Sequence, residues 1–196
     1  MEAKKSIFQV KNYVNILLWP LENHYYHQYS HALEVMDRSL YIWEKEWLSE
    51  DDLEILAIAS LFHDTWFIIQ YDDNELIWAW IARNYLKSIL FPEEKIQKIE
   101  ELIIATIPKR EPKNLLERII KDADMDNLWR DDFFDKWKRL RKELEEIKNI
   151  KILEPDWNHY SIDLLRQHRF LTKTEINERE QKKQENLKKL ENWNEA

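Results

Sequence analysis

Apolar residues recur at helical spacing along almost the whole chain, and this periodicity is the strongest constraint on the fold. Between residues 25 and 46, for example, Tyr29, Leu33, Met36 and Leu40 lie three or four residues apart, which places them on one face of a helix. The sequence contains neither a convincing alternating strand nor an internal repeat. It therefore predicts an all-α protein.

Capping residues and prolines divide this pattern into separate helices. Ser49 has the character of an N-cap, with Asp52 three residues later. The helix that follows is apolar on nearly all sides from Ile55 to Phe62, as expected for a helix that crosses the core. Pro92 stands where a first helical residue belongs. The helices predicted from these signals cover residues 5–18, 25–46, 51–64, 75–90, 92–107, 114–128 and 131–150. A last segment over 157–193 starts as a packed helix and ends in a charged, solvated helix that frays at its end.

Composition limits the class of protein and its partners. A chain of 196 residues with 44% hydrophobic residues can form one folded domain. We expect residues 1–155 to be that domain, including the N-terminal helix, and residues 156–196 to be a helical extension packed on it. The net charge of −8 argues against binding to the nucleic-acid backbone. No signal peptide and no apolar run that could span a bilayer are found, so we expect a cytoplasmic protein without a membrane partner.

Polar side chains lie on or at the ends of three otherwise apolar helices. His27 and His31 are four residues apart and share one helix face. The pair His63 and Asp64 ends the most apolar helix, and Asp124 closes another. Polar groups at buried positions are costly unless each has a partner, and a bound cation would offset that cost. Because the chain has no cysteine, any metal must be held by His, Asp or Glu.

The segments around these residues resemble the HD superfamily of metal-dependent phosphohydrolases. HALEV, LFHDT and IIKDADMDNL follow one another in that order, and the longer segments YHQYSHALEV, LAIASLFHDT and DADMDNLWRDDFF are similar to small bacterial stand-alone HD proteins. The resemblance covers residues 25 to about 145. It implies a helical bundle with a metal site at its centre. The metal ligands that it implies are His31, His63, Asp64 and Asp124.

The resemblance also implies the chemistry of the site. Mixed imidazole and carboxylate ligands suit a divalent ion of Mn, Fe, Zn, Co or Ni better than calcium. We expect one ion, because Asn74-Glu75 stands where relatives with two metals often have a His-Glu pair. The implied reaction is hydrolysis of a phosphomonoester or phosphodiester of a nucleotide or another small molecule by metal-activated water. Asp64 would both bind the metal and orient that water, whereas Phe67 cannot serve as the acid-base group that several relatives have just beyond the dipeptide.

Two further residues are candidate catalytic groups. His27 lies either near the substrate phosphate or in a hydrogen bond to the core, and the sequence favours neither position. Arg130 could bind a phosphate through two parallel N–H donors, although a pair with one of the two aspartates that follow it is slightly favoured. Asp122 and Asp126 are interpreted as supports for the ligands. The remaining candidates are Asp72 and Asp73 as acid-base groups, and His24, His159 and His168 as surface or packing residues.

The chain contains no glycine, where about 14 are expected for its length, and it contains 10 tryptophans. In the resembling proteins glycine is common where this chain has Trp47, Trp66, Trp78 and Trp129. Glycine at position 47 or 66 would be a helix C-cap, and a side chain there costs about 1–2 kcal/mol. This indicates a sequence altered or designed without glycine. The alternative function is therefore a catalytically impaired or designed HD-fold protein that acts as a binding or interaction module, in which Trp66 and Trp129 could fill the substrate cavity.

Overall fold

The computed structural model describes residues 2–19, 26–64 and 74–194, and every regular element in these ranges is helical, which confirms the all-α prediction. No helix in these ranges is long and apolar enough to cross a bilayer. A short 3-10 helix, Asp126–Trp129, lies between α6 and α7. The α-helices are α1 (Glu2–Leu18), α2 (Tyr29–Lys45), α3 (Glu50–Phe62), α4 (Asn74–Ser88), α5 (Glu93–Ala105), α6 (Leu115–Asp124), α7 (Phe133–Ile147), α8 (Glu154–Gln167) and α9 (Lys173–Asn194).

The starts of several helices follow from the residue that precedes them. The Ser49 hydroxyl accepts the N–H of Asp52 at the start of α3, as predicted, and Asn114 accepts the N–H of Glu117 at the start of α6. The helix α5 begins one residue later than predicted, at Glu93 instead of Pro92. Because the backbone of Pro92 is extended, with ψ of 128°, this residue precedes α5 as the N-cap and is not the first helical residue.

Three helices end in the left-handed backbone conformation without glycine. Trp47 after α2, Leu90 after α4 and Asn149 after α7 have φ of 59°, 56° and 49°. In each case the next N–H bonds back to a carbonyl in the last turn of the helix, at 3.0 to 3.4 Å, which is the pattern of a Schellman cap. The interpretation of Trp47 as a glycine-like C-cap position is confirmed. Trp66 lies outside the described residues.

The third helix, α3, is the centre of the first hydrophobic core. Its residues from Ile55 to Phe62 are all buried, as the uninterrupted apolar run predicted. Helices α1, α2 and α5 pack on α3, and α6 packs on α2. Burial of apolar surface is the main stabilisation of such a bundle, because it removes about 25 cal/mol per Å² of unfavourable hydration. This packing places the C-terminal ends of α3 and α6 beside the first turn of α2.

A second hydrophobic cluster joins α7, α8 and α9. The segment predicted over 157–193 forms two helices, because residues 168–172 separate α8 from α9. The prediction that the charged run is solvated is wrong, since Glu175, Lys183 and Asn186 are buried in α9. Lys183 Nζ donates to the carbonyl of His168 at 2.8 Å, so a charge-rich sequence here forms a packed face. The domain boundary at residue 155 stays a prediction. The second cluster consists of Leu128, Phe133, Trp137, Trp157, Ile162, Leu165, Leu187 and Leu190.

Candidate metal centre

Four polar side chains from three helices meet between α2, α3 and α6. His31 lies in the first turn of α2, and Asp124 is the last residue of α6. His63 and Asp64 follow directly after α3. One ligand atom of each side chain lies within 4.8 Å of the others, with both imidazoles buried and both carboxylates partly exposed. The structure thus brings together the four residues that the resemblance implied as ligands, and we call them the His/Asp cluster.

The spacing in the His/Asp cluster fits a shared cation better than direct hydrogen bonds. Asp64 Oδ2 lies 3.0 Å from His63 Nε2 and 3.4 Å from His31 Nε2, and Asp124 Oδ1 lies 3.3 and 3.4 Å from the same nitrogens. Most of these distances exceed about 3.2 Å, the usual limit for N–H···O. His31 Nε2 is buried without a hydrogen-bond partner. Ligand atoms about 2.0–2.2 Å from one ion lie about 3 Å or more apart, so the cluster could hold a divalent metal.

The pKa shifts in the cluster indicate that its two carboxylates favour a positive charge beside them. Burial lowers the pKa of His63, but Asp64 and Asp124 outweigh burial and raise it well above its usual value. The same balance raises the pKa of His31. Burial raises the pKa of Asp64, yet His63 and its neighbours reverse this and hold it well below its usual range. Burial likewise opposes ionisation of Asp124, but the nearby imidazoles of His31 and His63 lower its pKa to about 2. A metal ion would supply this positive charge with both imidazoles neutral.

A hydrogen bond to the backbone of its own helix fixes the orientation of the His63 ring. Its Nδ1 lies 2.7 Å from the carbonyl oxygen of Ser60, so Nδ1 carries the proton and Nε2 faces the cluster. The Ser60 hydroxyl donates to the Ser39 hydroxyl of α2 at 2.9 Å, and both serines are buried. These bonds connect the end of α3 that precedes His63 to α2.

His27 stands beside the His/Asp cluster and is not one of its four members. Its Nε2 lies 3.7 Å from Asp64 Oδ2, and its ring centroid lies 5.7 Å from that of His31. On the other side of the ring, Nδ1 contacts Glu143 Oε1. One nitrogen of His27 therefore bonds to the core, as one of the two interpretations predicted, and the other is directed toward Asp64. A role near the substrate phosphate stays a prediction.

Sequence reasoning did not single out Glu143 or Tyr26. Glu143 is only 1% exposed on α7, next to Leu144 and three residues after Leu140. The position of this carboxylate at the edge of an apolar helix face is the sequence signal that could have identified Glu143. The Tyr26 ring lies 4.7 Å from the ring of His31. Burial, followed by the nearby carboxylates, raises the pKa of Tyr26 well above its usual value, so its hydroxyl stays protonated.

Arg130 is paired with carboxylates, as the favoured sequence interpretation predicted. Its Nε and Nη2 donate to the Asp132 carboxylate at 2.8 and 2.7 Å, and its Nη1 lies 3.2 Å from Glu34. The side chain nevertheless lines the same small cavity as His31 and Asp124. Its guanidinium is therefore near the cluster but engaged elsewhere in this structure.

Residues 29–126, half of the chain, match the family described as HD domain. The chain belongs to the HD domain family. The matched region runs from α2 to the 3-10 helix and contains all four residues of the His/Asp cluster. Helices α7, α8 and α9 of this HD domain protein follow the matched region. No curated protein sequence matches the chain.

Two solved structures resemble this HD domain protein over nearly its whole length. The structure of Bacillus subtilis YpgQ in complex with ADP is 19% identical, with a TM-score of 0.69, and the match covers 98% of this chain and 96% of that chain. The selenomethionine form of Bacillus subtilis YpgQ is also 19% identical, with a TM-score of 0.68 and coverage of 98% and 95%. At this level of identity the likeness shows the fold, and it includes the helices on both sides of the HD domain match.

A cleft opens beside the cluster of the HD domain protein. The space inside it, including the solvent at its mouth, is about 590 Å³. Tyr26 and His31 line it together with Lys136 and Arg139 of α7. Lys136 pairs with Glu34 at the rim. Glu34, Asp132 and Asp135 also line the cleft, so its carboxylates outnumber its lysine and arginine.

Asp122 lies two residues before Asp124 in α6, and its predicted support of the ligands stays a prediction. It is buried, and its carboxylate accepts the N–H of Leu171 at 2.9 Å and the N–H and hydroxyl of Thr172 at 2.7 and 2.8 Å. Burial raises the pKa of Asp122 to about 6. Asp122 therefore connects α6 to the start of α9.

Trp129 does not fill the cavities beside the cluster, in contrast to the possibility raised by the sequence. Its indole donates to Asp126 Oδ1 at 2.6 Å, and the Arg179 guanidinium lies 3.3 Å above its ring. Neither described cavity is lined by Trp129. This cation–π contact holds the ring against α9. Asp126, which also pairs with Arg38 at 3.1 Å, supports this contact and lies outside the His/Asp cluster.

The other candidates have no place in the cluster. His159 is exposed on α8, and His168 is packed against the ring of Phe170 at the end of the same helix. The candidates that lie outside the described residues are His24, Phe67, Asp72 and Asp73.

Proposed function

We propose that this protein is a metal-dependent phosphohydrolase that acts on a phosphomonoester or phosphodiester of a nucleotide or another small molecule. The observation that carries the proposal is the cluster of two imidazoles and two carboxylates within an HD domain. The ADP bound to YpgQ, which shares the fold, supports a nucleotide as the ligand. His31 lines the cleft beside the cluster, which supports access of a small-molecule substrate to the site.

One divalent ion would be held by His31, His63, Asp64 and Asp124. Manganese, iron, zinc, cobalt and nickel all suit this mixed donor set. One cluster of this kind occurs among the described residues, which supports a single ion. When bound, such an ion lowers the pKa of a coordinated water and polarises a phosphoryl oxygen.

Three side chains of the site would handle protons and substrate charge. Asp64 Oδ2 is directed toward both imidazoles, which leaves its second oxygen to accept a hydrogen from a water and orient it. His27 Nε2, at 3.7 Å from Asp64, is placed to hold or transfer a proton on the same side of the site. Arg130 would exchange Asp132 for a phosphate, because both offer two oxygens to its paired donors.

A second candidate function is a binding module that keeps the HD fold without turnover. The observation that favours it is the engagement of Arg130 by Asp132 and Glu34, which occupies the guanidinium that would otherwise bind phosphate. The absence of glycine from the sequence also indicates a chain altered from its relatives. In this case metal binding would persist without hydrolysis.

Metal analysis combined with a substrate screen tests the proposal. We expect a stoichiometric transition metal in the purified protein, and manganese-dependent hydrolysis of at least one ester in a panel of phosphomonoesters, phosphodiesters and nucleotides that includes ADP. His63→Ala should lose both metal and activity, whereas His159→Ala, an exposed matched control on α8, should keep both. Metal content unchanged in His63→Ala would contradict the enzyme, and bound metal without any hydrolysis would favour the binding module.

A further inference from the structure

Glu143 is a carboxylate at a position where a carboxylate is costly. It is 1% exposed, on a helix that otherwise carries most of its charged groups at the surface. An ionised side chain in the interior destabilises the fold unless hydrogen bonds and charges compensate it. Its helix, α7, follows residues 29–126, so Glu143 reaches the site from outside the region that matches the HD domain.

The hydrogen-bond donors to Glu143 come from one short stretch ahead of α2. Its Oε2 accepts the backbone N–H of Tyr26 at 2.8 Å and that of His27 at 3.0 Å, and its Oε1 contacts His27 Nδ1. The next residue, Gln28, is the N-cap of α2 and makes no side-chain capping bond. One carboxylate therefore fixes both the backbone and the ring of His27.

The direction of the ring follows from this contact. An ionised carboxylate accepts hydrogen bonds and cannot donate them, so the proton lies on His27 Nδ1. Nε2 is then directed toward Asp64, and the ring stands at 87° to the ring of His31. A carboxylate behind an imidazole commonly fixes both its tautomer and its orientation.

We infer that Glu143 is a positioning residue, which holds His27 with Nδ1 protonated and Nε2 presented to Asp64 of the His/Asp cluster. The inference rests on the proposed function, because the presentation of Nε2 affects turnover only if the site hydrolyses a substrate. Its structural part, the protonation of Nδ1 by contact with Glu143, holds independently of turnover.

Glu143→Gln separates this role from simple support of the chain. The glutamine oxygen can still accept both backbone N–H groups, so the backbone ahead of α2 is retained. The amide NH₂ then faces His27 Nδ1 and donates to it, which moves the ring proton to Nε2. A residue that only supports the chain would tolerate this change, whereas a positioning residue would not.

The first measurement is nitrogen NMR of the histidine side chains in the metal-free protein, with the His27 signals assigned by their loss in His27→Gln. We expect Nδ1 to be protonated in the wild-type protein and unprotonated in Glu143→Gln. This readout does not require a substrate. The same protonation of Nδ1 in both proteins would overturn the inference even if the enzyme is active.

The second measurement is steady-state kinetics on a substrate found in the screen. We expect Glu143→Gln to lower kcat by about 10- to 100-fold with little change in KM or metal content, as for other residues that orient a catalytic group. Because Glu143 would act through His27, Glu143→Gln should cause no further loss in the His27→Gln background. Glu146→Gln, at an exposed position of the same helix, is the matched control and should retain wild-type kinetics. Wild-type kcat in Glu143→Gln, or an equal loss in both backgrounds, would overturn the role.

Discussion

Trp47 and Leu90 show the effect of backbone conformation at single residues in a chain without glycine. Both have positive φ, at 59° and 56°, and their side chains are 93% and 92% exposed. Exposed side chains gain almost no burial energy, so nothing local offsets the clash between Cβ and the backbone. That clash costs about 1–2 kcal/mol per residue.

We predict that Trp47→Gly and Leu90→Gly each raise the free energy of unfolding by about 1 kcal/mol, because relief of the clash exceeds the added flexibility of the unfolded chain. Urea unfolding measures the change. Leu76→Gly is the matched control, since Leu76 is 58% exposed but lies within α4, and there glycine should lower stability by about 1 kcal/mol. A loss of stability in Trp47→Gly would show that the exposed indole contributes more than its conformation costs.

At the scale of elements, the join between α8 and α9 depends on buried polar contacts. His168 ends α8, and its carbonyl accepts a bond from the buried Lys183 of α9 at 2.8 Å. Burial lowers the pKa of His168 to about 4, with Lys183 adding to the effect and Glu180 opposing it. A protonated His168 is therefore incompatible with this packing.

We predict that the join weakens in acid through His168. In the pH range from about 6.5 to about 4 the unfolded chain binds a proton at this residue and the folded chain does not, so stability falls as pH falls. The contribution is fully present above pH 6.5. Unfolding free energies at several pH values should show the wild-type protein losing up to about 1.4 kcal/mol per pH unit relative to His168→Gln in this range. Parallel curves for the two proteins would contradict the assignment.

At the scale of the whole molecule, polar anchors hold the two hydrophobic clusters together at the start of α9. Asp122 of α6 accepts the N–H groups of Leu171 and Thr172. Arg38 of α2 donates to Glu175 at 2.7 Å. These anchors connect the helices that carry residues of the His/Asp cluster to the start of α9.

We predict that Asp122→Ala lowers the free energy of unfolding by about 2–3 kcal/mol, because it leaves backbone N–H groups of the connection without acceptors. Chemical unfolding measures the loss. Asp163→Ala, at an exposed position of α8, is the control and should change stability by less than about 0.5 kcal/mol. A small effect in Asp122→Ala would mean that water replaces the carboxylate and that the apolar contacts alone hold α9.

Much of the fold followed from local patterns. The periodicity predicted α2 and the buried α3, and Ser49 predicted the start of α3, because capping and amphipathic faces are properties of neighbouring residues. The division between α8 and α9 was missed. It lies in a charged segment whose buried face is set by contacts with α6 and α2, which are distant in sequence.

The sequence by itself determined the helical class, the central helix and the identity of the four polar residues that meet in the His/Asp cluster. The helical class and the central helix depend on residue type and spacing along one chain segment, and the four residues followed from the resemblance of three segments to HD proteins. Only the tertiary structure decided that Glu143 lies behind His27, that Asp132 and Glu34 occupy Arg130, and that the charged α9 is packed. The reason is physical: the partner of a charged side chain is whichever opposite group the packing of remote helices brings within hydrogen-bond distance.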